Sequence, residues 1–325
     1  MKIVFHGANA ASFSDGFAEL IGGDVEVAIL PDVLASAADR ATYAAADAIV
    51  ATKFSADLPR PERLKLFHVP GAGYDAVDLD ALPAGAVVCN CFGHEQAIAE
   101  YVMAALLRRS IPLDDADRRL RQGDWAYWAG APERVHGEIA GSTIGLLGFG
   151  HIGKAIAARA KAFEMQVHVA NRSPVAPSGL VDKAYTLDQL QDFWAAADAF
   201  VVSVPLTPET TGIVGASAFA AMKRSAVILN VGRGATIDEQ ALYDALSTKR
   251  IAGAMIDTWY RYPSAADVNP QPATLPFAGL TNLLMTPHMS GWTGGTIARR
   301  QRTIADNIRH HFAGKPCTNL VRAAT

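Results

Sequence analysis

The 325-residue chain is poor in cysteine, and this shortage excludes a disulfide-stapled protein. Its three cysteines, Cys89, Cys91 and Cys317, are too few and of odd number for a disulfide framework. Cys89 and Cys91 form C-x-C, but no further Cys or His stands nearby at a metal-ligand spacing. We therefore expect buried thiols, no metal site, and a reducing compartment, the cytoplasm.

The chain also lacks a strong charge of one sign and any long apolar run. The 29 basic and 32 acidic residues give a formal net charge of −3, and no basic run is present. Nothing in this balance indicates nucleic acid or an anionic membrane as a partner. No run of about 18 apolar residues is present, which excludes a membrane-spanning helix. The N-terminal MKIVFHGANA is typical of a first buried strand rather than of a signal peptide.

What the chain does contain is two series of short apolar segments that alternate with helical patterns. The first series is MKIVFHG, VEVAIL, AIVAT, LKLFHVP and AVVCNCFG, and the second is TIGLLGFG, QVHVANRS, AFVVSVPL, AVILNVG, IAGAMIDTW and LLMTPHMSG. A long helical stretch, Ile98 to Gln122, separates them. Alternation of this kind predicts parallel sheets covered by helices. We expect two doubly wound α/β domains, five or six strands in the second, and a ligand cleft between them.

A glycine triplet marks a candidate dinucleotide-binding turn. Gly148, Gly150 and Gly153 form G-x-G-x-x-G between the apolar run TIGLL and the helical pattern KAIAARAKAF. The first glycine allows a tight turn, the second lets the backbone approach a pyrophosphate, and the third lets helix and strand pack closely. The helix that follows directs free N–H groups at phosphates, so His151 and Ile152 at its start join the predicted cofactor site.

The end of the next strand departs from the pattern that binds NAD. Asn171 stands 18 residues after Gly153, where an Asp or Glu would bind the ribose 2′-hydroxyl and repel a 2′-phosphate. Arg172 supplies a planar cation suited to a phosphate, and Ser173 adds a hydroxyl donor. We therefore expect NADP to be preferred over NAD. The alternative is that Arg172 is a solvated loop residue that stacks on adenine, which would suit NAD equally well.

Two residues after later strands supply the chemistry of carbonyl reduction. Arg233, in NVGRG, offers a two-pronged cation to a carboxylate or a polarised carbonyl. His288, in TPH, titrates near neutral pH and can pass a proton. Hydride transfer to a 2-oxo acid needs such a cation and a proton for the oxygen as it gains charge. The pair therefore suits hydride transfer to a 2-oxo acid, although His288 taken alone would more often be a satisfied structural histidine.

The ordered segments around these residues resemble the D-isomer-specific 2-hydroxyacid dehydrogenase family. Besides the glycine turn they include HVPGAGYDAVDLDAL, IAEYV, VPLTPETTGIVGASAFAAMKRSAVILNVGRGATIDEQAL, IAGAMIDTW and LLMTPHMSGWT. The resemblance runs from about Ile49 to the C-terminus. It implies a flavodoxin-like substrate domain, residues 1–97 and 291–325, and a Rossmann cofactor domain, residues 98–290. It also implies a homodimer joined through the helix that matches Ala99 to Arg108 and the arm after it.

The resemblance further assigns roles to individual residues. The family's matching Arg and His make Arg233 the residue that orients substrate and His288 the acid/base. Residues matching Ala72 and Gly73 offer backbone N–H groups to the substrate carboxylate. The cofactor site is extended to three further residues after strands, Val204, Pro205 and Asp257.

One position departs from the family in a way that affects the chemistry. A Glu usually stands five residues after the Asp that matches Asp257 and pairs with the catalytic His, but this chain has Tyr262. A phenol cannot stabilise imidazolium as a carboxylate does, so we expect reduction to fade at lower pH than is usual for the family. Three interpretations stay open: Tyr262 orients the His, helped by Glu95 or Asp257; the stretch from Arg261 to Pro276 shifts the alignment; or the protein is a weakened or non-catalytic relative.

His94 and Trp292 are candidate substrate contacts. PHMSG and DTW resemble the family's formate dehydrogenase branch, in which an Asn stands near the position of His94 and a Gln at that of Tyr262. Both polar groups that would hold formate are therefore different here. His94 could contact an acidic substrate or the nicotinamide, or it could simply form local hydrogen bonds at a helix start. Trp292 either lines the pocket or belongs to the core.

These observations favour an NAD(P)-dependent D-2-hydroxyacid dehydrogenase that acts mainly as a 2-oxo acid reductase. Two alternatives remain open. One is a cofactor-sensing, corepressor-like binding protein, because the same fold serves that purpose in the family. The other is a dehydrogenase of another small anion, such as formate or phosphite.

The loop after the second cofactor strand gives a direct test of cofactor choice. Asn171→Asp restores a negative charge that repels a 2′-phosphate, so the ratio of kcat/KM for NADPH to that for NADH should fall. Steady-state kinetics with both cofactors measures the ratio. Equal use of the two cofactors before and after the change would contradict the assignment of this loop.

Overall fold

The computed structural model describes residues 1–130, 132–264 and 267–324. Within these ranges the chain divides into two compact units. Unit 1 is Met1–Gly93 with the C-terminal segment from Thr293, and unit 2 is His94–Trp292. The boundaries expected from the sequence lie four residues later than the first of these (97 against 93) and two residues earlier than the second (290 against 292).

Both units are α/β, which confirms the predicted fold class. The strands are β1 Lys2–His6, β2 Glu26–Leu30, β3 Ala48–Ala51, β4 Leu66–His68, β5 Val87–Cys89, β6 Thr143–Leu147, β7 Gln166–Ala170, β8 Lys183–Tyr185, β9 Ala199–Val202, β10 Val227–Asn230, β11 Gly253–Ile256, β12 Leu283–Met285 and β13 Leu320–Arg322. The α-helices are α1 Ala8–Ala11, α2 Phe17–Ile21, α3 Ala37–Ala44, α4 Glu95–Ser110, α5 Leu113–Leu120, α6 His151–Ala162, α7 Leu190–Ala196, α8 Ala216–Ala221, α9 Glu239–Ser247 and α10 Gly294–Phe312. No helix in the described ranges is long and apolar enough to cross a membrane.

The sheet of unit 1 has the order β13-β5-β4-β3-β1-β2. The strands β1 to β5 are parallel to one another, and each of the five segments predicted from the sequence forms one of them. The sixth strand, β13, pairs antiparallel with β5 at the edge. The sequence did not predict β13, because three residues are too few to show an alternating pattern. Cys89 and Cys91 are buried, as expected, and burial raises the pKa of both thiols.

A buried polar contact fastens α10 to the sheet of unit 1. The side-chain amide of Asn307 donates to His68 Nε2 at 3.0 Å, and His68 Nδ1 lies 3.1 Å from the carbonyl oxygen of Val69. Burial lowers the pKa of His68 to about 4, so the ring is neutral and carries its proton on Nδ1. Both ring nitrogens are therefore satisfied, and this histidine serves structure rather than catalysis.

The sheet of unit 2 has the order β12-β11-β10-β9-β6-β7-β8, and every neighbouring pair is parallel. The strand order reverses between β6 and β9, which is where open α/β sheets bind ligands. Seven strands are present, against the five or six expected, because β8 is only three residues long. All seven carboxyl ends lie at one edge, and the loops that carry the candidate residues of this unit start there.

The prediction of one long helix over Ile98–Gln122 was wrong in part. The helix starts earlier, at Glu95, and stops at Ser110, and a second helix runs from Leu113 to Leu120. Ile111 between them is extended (φ −117°, ψ 105°). The residue before a proline avoids the helical region, so Pro112 explains the break.

Candidate active site

Six loops of unit 2 bring the predicted residues to the carboxyl edge of its sheet. Each loop follows directly on a strand, so the parallel topology alone places their first residues in a row. The residues are Gly148 after β6, Asn171 after β7, Val204 after β9, Arg233 after β10, Asp257 after β11 and His288 after β12. The sequence alone shows only that they stand after strands, and the strand order shows which of them are neighbours.

The glycine turn has the geometry that a dinucleotide requires. Gly148 has a φ of 98°, which a residue with a side chain rarely adopts. A Cβ atom on Gly153 would lie 2.3 Å from the carbonyl oxygen of Gly148, so helix and turn pack backbone to backbone there. A Cβ atom on Gly150 would meet no atom within 4 Å. The backbone at Gly150 is therefore open to a ligand at the start of α6, and His151 and Ile152 form the first turn of that helix.

Asn171 holds the glycine turn to the loop after β7. Its Oδ1 accepts from the backbone N–H of Phe149 at 3.2 Å, and its Nδ2 donates to the carbonyl oxygen of Ser173 at 2.9 Å. An aspartate here would keep the first bond but would set a carboxylate oxygen against the Ser173 carbonyl. The repulsion would turn that oxygen away from the Ser173 carbonyl.

The residues around Asn171 are exposed, and two of them, Arg172 and Glu209, are charged. Arg172 and Ser173 both face solvent. Glu209, in the loop after β9, has a pKa below its ordinary value, chiefly through a hydrogen bond with Thr207 and to a smaller extent through the charge of Arg172. Arg172 therefore stands in the field of a carboxylate, with which a 2′-phosphate would compete.

The loops after β9 and β10 close around the glycine turn. A Cβ atom built on Gly148 would lie 3.0 Å from Val204 Cγ1, and one built on Gly232 would lie 2.8 Å from the carbonyl oxygen of Val204. Pro205 follows in the same loop, and its carbonyl oxygen accepts from the Thr210 hydroxyl. The predicted cofactor residues Val204 and Pro205 thus lie beside the turn, and their role in binding a cofactor stays a prediction.

Arg233 follows β10 in an extended conformation, and its Nη1 donates to the carbonyl oxygen of Gly232 at 3.0 Å. The backbone of this loop is fixed by Asn230, which accepts from the N–H of Gly232 at 3.0 Å and donates to the carbonyl oxygen of Arg233 at 2.9 Å. The guanidinium therefore projects from a rigid turn.

The buried carboxylate of Asp257 organises the loop that carries His288. Asp257 is fully buried. Its Oδ1 accepts from the Thr286 hydroxyl at 2.6 Å and from the N–H of Met289 at 2.9 Å, and its Oδ2 accepts from the N–H of Ser290 at 3.0 Å. His288 itself has a φ of 58°, the left-handed region, which costs a residue with a side chain about 1–2 kcal/mol. The carboxylate offsets that cost by binding the Thr286 hydroxyl before the histidine and two backbone N–H groups after it.

Tyr262 contacts the ring of His288. The Tyr262 hydroxyl lies 2.9 Å from His288 Nδ1, and it accepts from the backbone N–H of Trp259 at 3.1 Å. A phenol oxygen has two lone pairs, so it can accept from the Trp259 N–H and from His288 Nδ1–H at the same time. A neutral His288 that carries its proton on Nδ1 leaves Nε2 free to take a proton. This geometry favours the first of the three interpretations of Tyr262, as a substitute orienter. Residues 265 and 266 of the unusual stretch lie outside the described residues.

The surroundings of His288 favour the neutral ring. Desolvation lowers the pKa of His288 most, the carboxylate of Asp257 raises it by less, and the cation of Arg233 lowers it further. The phenol, unlike a carboxylate, adds no negative charge that would stabilise imidazolium. The pKa of Tyr262 is itself raised, chiefly by desolvation, so its hydroxyl keeps its proton.

The structure places His94 next to the same loop. A Cβ atom on Gly291 would lie 3.2 Å from His94 Cβ. His94 is the N-cap residue of α4, but its side chain makes no capping bond, and its Nδ1 lies 3.7 Å from Glu95 Oε2. His94 thus stands at the helix start, as the local interpretation expects, without a side-chain capping bond, and a role in binding substrate stays a prediction. Trp292 is partly exposed, at 42%, which excludes a core residue.

The predicted carboxylate-binding residues Ala72 and Gly73 belong to unit 1. They stand in the loop after β4, where the Ala72 carbonyl oxygen accepts from Asn90 Nδ2 at 2.7 Å and the Gly71 carbonyl oxygen accepts from the N–H of Cys91 at 3.1 Å. The carbonyl groups are thus engaged within unit 1. That the N–H groups bind a substrate stays a prediction.

Three residues that hold the site were missed by the sequence analysis: Trp259, Thr286 and Tyr101. Besides its backbone bond to Tyr262, Trp259 donates from Nε1 to the carbonyl oxygen of Thr286 at 2.8 Å. Trp259 and Thr286 belong to the DTW and TPH segments, so their motifs were noticed but not their contact. Tyr101, whose hydroxyl lies 2.8 Å from Thr286 Oγ1, belongs to the IAEYV segment, but it stands 185 residues from Thr286 and the sequence does not indicate this contact. In the described residues, no group of three or more His, Cys, Asp and Glu side chains could hold a metal ion.

The sequence of unit 2 matches a known protein family, and most of the chain is similar to characterised relatives. A family model described as D-isomer specific 2-hydroxyacid dehydrogenase, NAD binding domain, matches residues 102–290. The glycerate dehydrogenase of Methylorubrum extorquens is 36% identical over 268 residues, which cover 80% of this chain and 79% of that protein. The D-3-phosphoglycerate dehydrogenase of Methanocaldococcus jannaschii is 30% identical over 276 residues, 83% of this chain. The match spans only about half of that relative, 50% of its length.

A solved structure is similar over nearly the whole chain. It is an acyclic imino acid reductase in complex with NADPH and D-Arg, with a TM-score of 0.78 and 26% sequence identity. The similarity covers 99% of this chain and 100% of that one.

Two glycine substitutions in the turn separate packing from ligand binding. Gly153→Ala forces a methyl group against the Gly148 carbonyl, so we expect a loss of stability of about 1–3 kcal/mol. Gly150→Ala meets open space, so the protein should melt as the wild type does, while the affinity for a dinucleotide falls about tenfold or more. Thermal melting without cofactor and fluorescence titration with NADPH and NADH measure the two effects. Unchanged cofactor affinity in Gly150→Ala would contradict the assigned turn.

Proposed function

The chain belongs to the D-isomer specific 2-hydroxyacid dehydrogenase family, and from this membership we propose that it reduces a small 2-oxo acid to the D-2-hydroxy acid with a nicotinamide cofactor, and catalyses the reverse oxidation. One observation above all supports a working catalytic site. The hydroxyl of Tyr262 lies 2.9 Å from His288 Nδ1, so the ring is oriented although the usual carboxylate is missing.

The residues at the carboxyl edge of unit 2 fit a dinucleotide. The open backbone at Gly150 and the start of α6 would hold the pyrophosphate, and the loops that begin at Asn171 and Val204 would hold the adenosine part. When bound, the nicotinamide supplies or accepts the hydride. Every other chemical requirement falls to the side chains of the protein.

Arg233 and His288 divide the work on the substrate. We assign the Arg233 guanidinium to the substrate carboxylate or the carbonyl beside it, where a cation stabilises the oxygen as it gains charge. In reduction, a hydride adds to the carbonyl carbon and the C=O π electrons move to oxygen, which takes a proton from His288 Nε2. In oxidation, Nε2 takes that proton back from the hydroxyl group.

Tyr262 can serve both protonation states of His288. In both states its oxygen can accept from His288 Nδ1–H, so Nε2 is the atom that gains and loses the proton. A phenol does not attract the added charge as a carboxylate would, so imidazolium forms only at lower pH. His288 is thus kept in place by Tyr262 without being made a stronger base.

We propose NADP as the preferred cofactor. Arg172 and Ser173 lie exposed at the end of β7, and the chain has no carboxylate at position 171 to repel a 2′-phosphate. The solved imino acid reductase with a similar fold contains NADPH. Glu209, which shares the field of Arg172, opposes this preference and limits it.

Reduction of a 2-imino acid is a second candidate function, favoured by the same Tyr262–His288 contact. A protonated imine brings its own proton, so hydride addition to its carbon leaves an amine and needs no acid from the protein. A neutral His288 would therefore suit that substrate better than a 2-oxo acid. The similar solved structure is an imino acid reductase.

We also propose that the chain forms a homodimer through the arm after α4. Large apolar side chains face solvent along this arm, at Leu113, Leu120, Trp125 and Trp128, which are 68%, 51%, 66% and 62% exposed. Apolar side chains grouped in this way mark an interaction surface. A second copy of the chain fits best, because the family resemblance places the dimer contact here.

Turnover assays test the proposed function. NADPH and NADH oxidation is followed with glyoxylate, hydroxypyruvate, pyruvate and bulkier 2-oxo acids across pH, each with and without added ammonia or methylamine. We expect turnover of a 2-oxo acid without added amine. His288→Asn should lower kcat about 10²-fold or more, and Arg233→Lys should raise the KM for the substrate. Turnover only with the amine present would favour imine reduction. Tight cofactor binding without any turnover would contradict both proposals and support a binding protein.

The pH profile tests the role assigned to Tyr262. Reduction needs protonated His288, and a lowered pKa means that this form is lost at lower pH, so kcat for reduction should fall already below neutral pH. Tyr262→Glu restores a carboxylate and should move that fall upwards by about one pH unit or more. Tyr262→Phe, the matched control without a charge, should lower kcat and leave the fall at or below its original pH. A wild-type rate that holds into alkaline pH would contradict the assignment.

A further inference from the structure

We infer that Tyr101, on α4 and outside every loop of the candidate site, is a positioning residue for His288, which it reaches through Thr286 and Asp257. This inference rests on the proposed role of His288 as the acid/base. Tyr101 lies in the IAEYV segment, to which the sequence assigned no role at the site, and its hydroxyl lies 2.8 Å from Thr286 Oγ1.

The number of hydroxyl protons determines the direction of each hydrogen bond in this chain. Thr286 has one hydroxyl proton, and it goes to Asp257 Oδ1 at 2.6 Å, because a carboxylate only accepts. The contact with Tyr101 must therefore use a lone pair of Thr286 Oγ1, so Tyr101 is the donor. The bonds run one way, from the phenol to the threonine and on to the carboxylate. Hydrogen bonds in such a chain polarise and strengthen one another.

The carboxylate at the end of this chain binds the backbone that follows His288. Asp257 accepts from the N–H groups of Met289 and Ser290 at 2.9 and 3.0 Å, while Thr286 stands two residues before the histidine. Both sides of the left-handed residue are thus tied to one carboxylate. If the Thr286 hydroxyl swings away, Asp257 keeps its bonds to the backbone of Met289 and Ser290 but no longer binds Thr286, two residues before the histidine. His288 would then have a wider range of orientations relative to Tyr262.

A purely structural role for Tyr101 is the alternative. Its ring packs beside the core that α4 and α6 share, so removal of the whole side chain would disturb the fold whatever the hydroxyl does. The hydroxyl is half-buried and its bond to Thr286 reaches across the unit. Replacing tyrosine by phenylalanine keeps the ring and removes only this bond, so it separates the two roles.

The groups that set the titration of His288 are Asp257, Arg233 and Tyr262. On the α4 side, His94 lies beside Gly291 of the same loop, with Glu95 next to it. None of these is changed in Tyr101→Phe. A change in the pH behaviour of His288 in that variant therefore reports a change in the position or solvation of the ring.

The test compares Tyr101→Phe, Thr286→Val, the double variant and the conservative Thr286→Ser. We expect Tyr101→Phe to lower kcat about two- to tenfold, the equivalent of one hydrogen bond, with KM for the cofactor unchanged. The pH at which reduction fades should rise, and so should the midpoint of the His288 Hε1 signal in an NMR titration of the cofactor-free protein, because a loosened ring is better solvated. The double variant should be no worse than Thr286→Val alone, and Thr286→Ser should behave as the wild type.

Tyr185→Phe is the matched control, since its hydroxyl lies 3.5 Å from His168 Nδ1 at the opposite edge of the sheet, and it should change neither kcat nor the His288 titration. A wild-type pH profile and titration in Tyr101→Phe would overturn the inference, as would fully additive effects of Tyr101→Phe and Thr286→Val. If Tyr101→Phe does not fold, the comparison of Thr286→Ser with Thr286→Val decides in the same way. The NMR titration needs no turnover, so it separates failure of this inference from failure of the proposed function.

Discussion

The hydrogen bond between the Tyr262 hydroxyl and His288 Nδ1 determines the chemistry that this site can perform. Both residues stand in loops at the carboxyl edge of one sheet, and both are held by other groups: Tyr262 by the backbone N–H of Trp259, His288 by the backbone bonds of Asp257. The usual carboxylate partner would fix the ring and stabilise its charge at once. Here the two tasks are separated, because the phenol fixes the ring and leaves the charge unsupported.

Asp257 has a structural role at the His288 loop besides the cofactor contact that the sequence predicts for it. Its carboxylate is fully buried and binds the hydroxyl of Thr286 and the backbone of Met289 and Ser290. The structure therefore adds a structural role at the base of the His288 loop, and a contact of Asp257 with cofactor stays a prediction.

The sequence was sufficient for the fold class because the strands of a buried parallel sheet are continuous apolar runs. It did not predict β8 and β13, because three residues are too few to show a pattern. It also did not predict the helix break at Ile111, where Pro112 outweighs the helical periodicity. The chemistry of Arg233 and His288 was predictable from residue type and from their place after strands. The partner of His288 stayed open among three interpretations, because the sequence does not show whether the Tyr262 hydroxyl reaches the ring. The contact of Tyr101 could not be predicted, because its bond to Thr286 joins residues that only the folded chain brings together.

The protonation of His288, measured by ¹⁵N NMR of the cofactor-free protein, tests its proposed role most directly. We predict a neutral ring at pH 7 that donates its Nδ1 proton to the Tyr262 oxygen and leaves Nε2 free, with a midpoint below the ordinary histidine value of about 6.5. A neutral ring protonated on Nε2, or an imidazolium that persists above pH 7, would contradict this prediction.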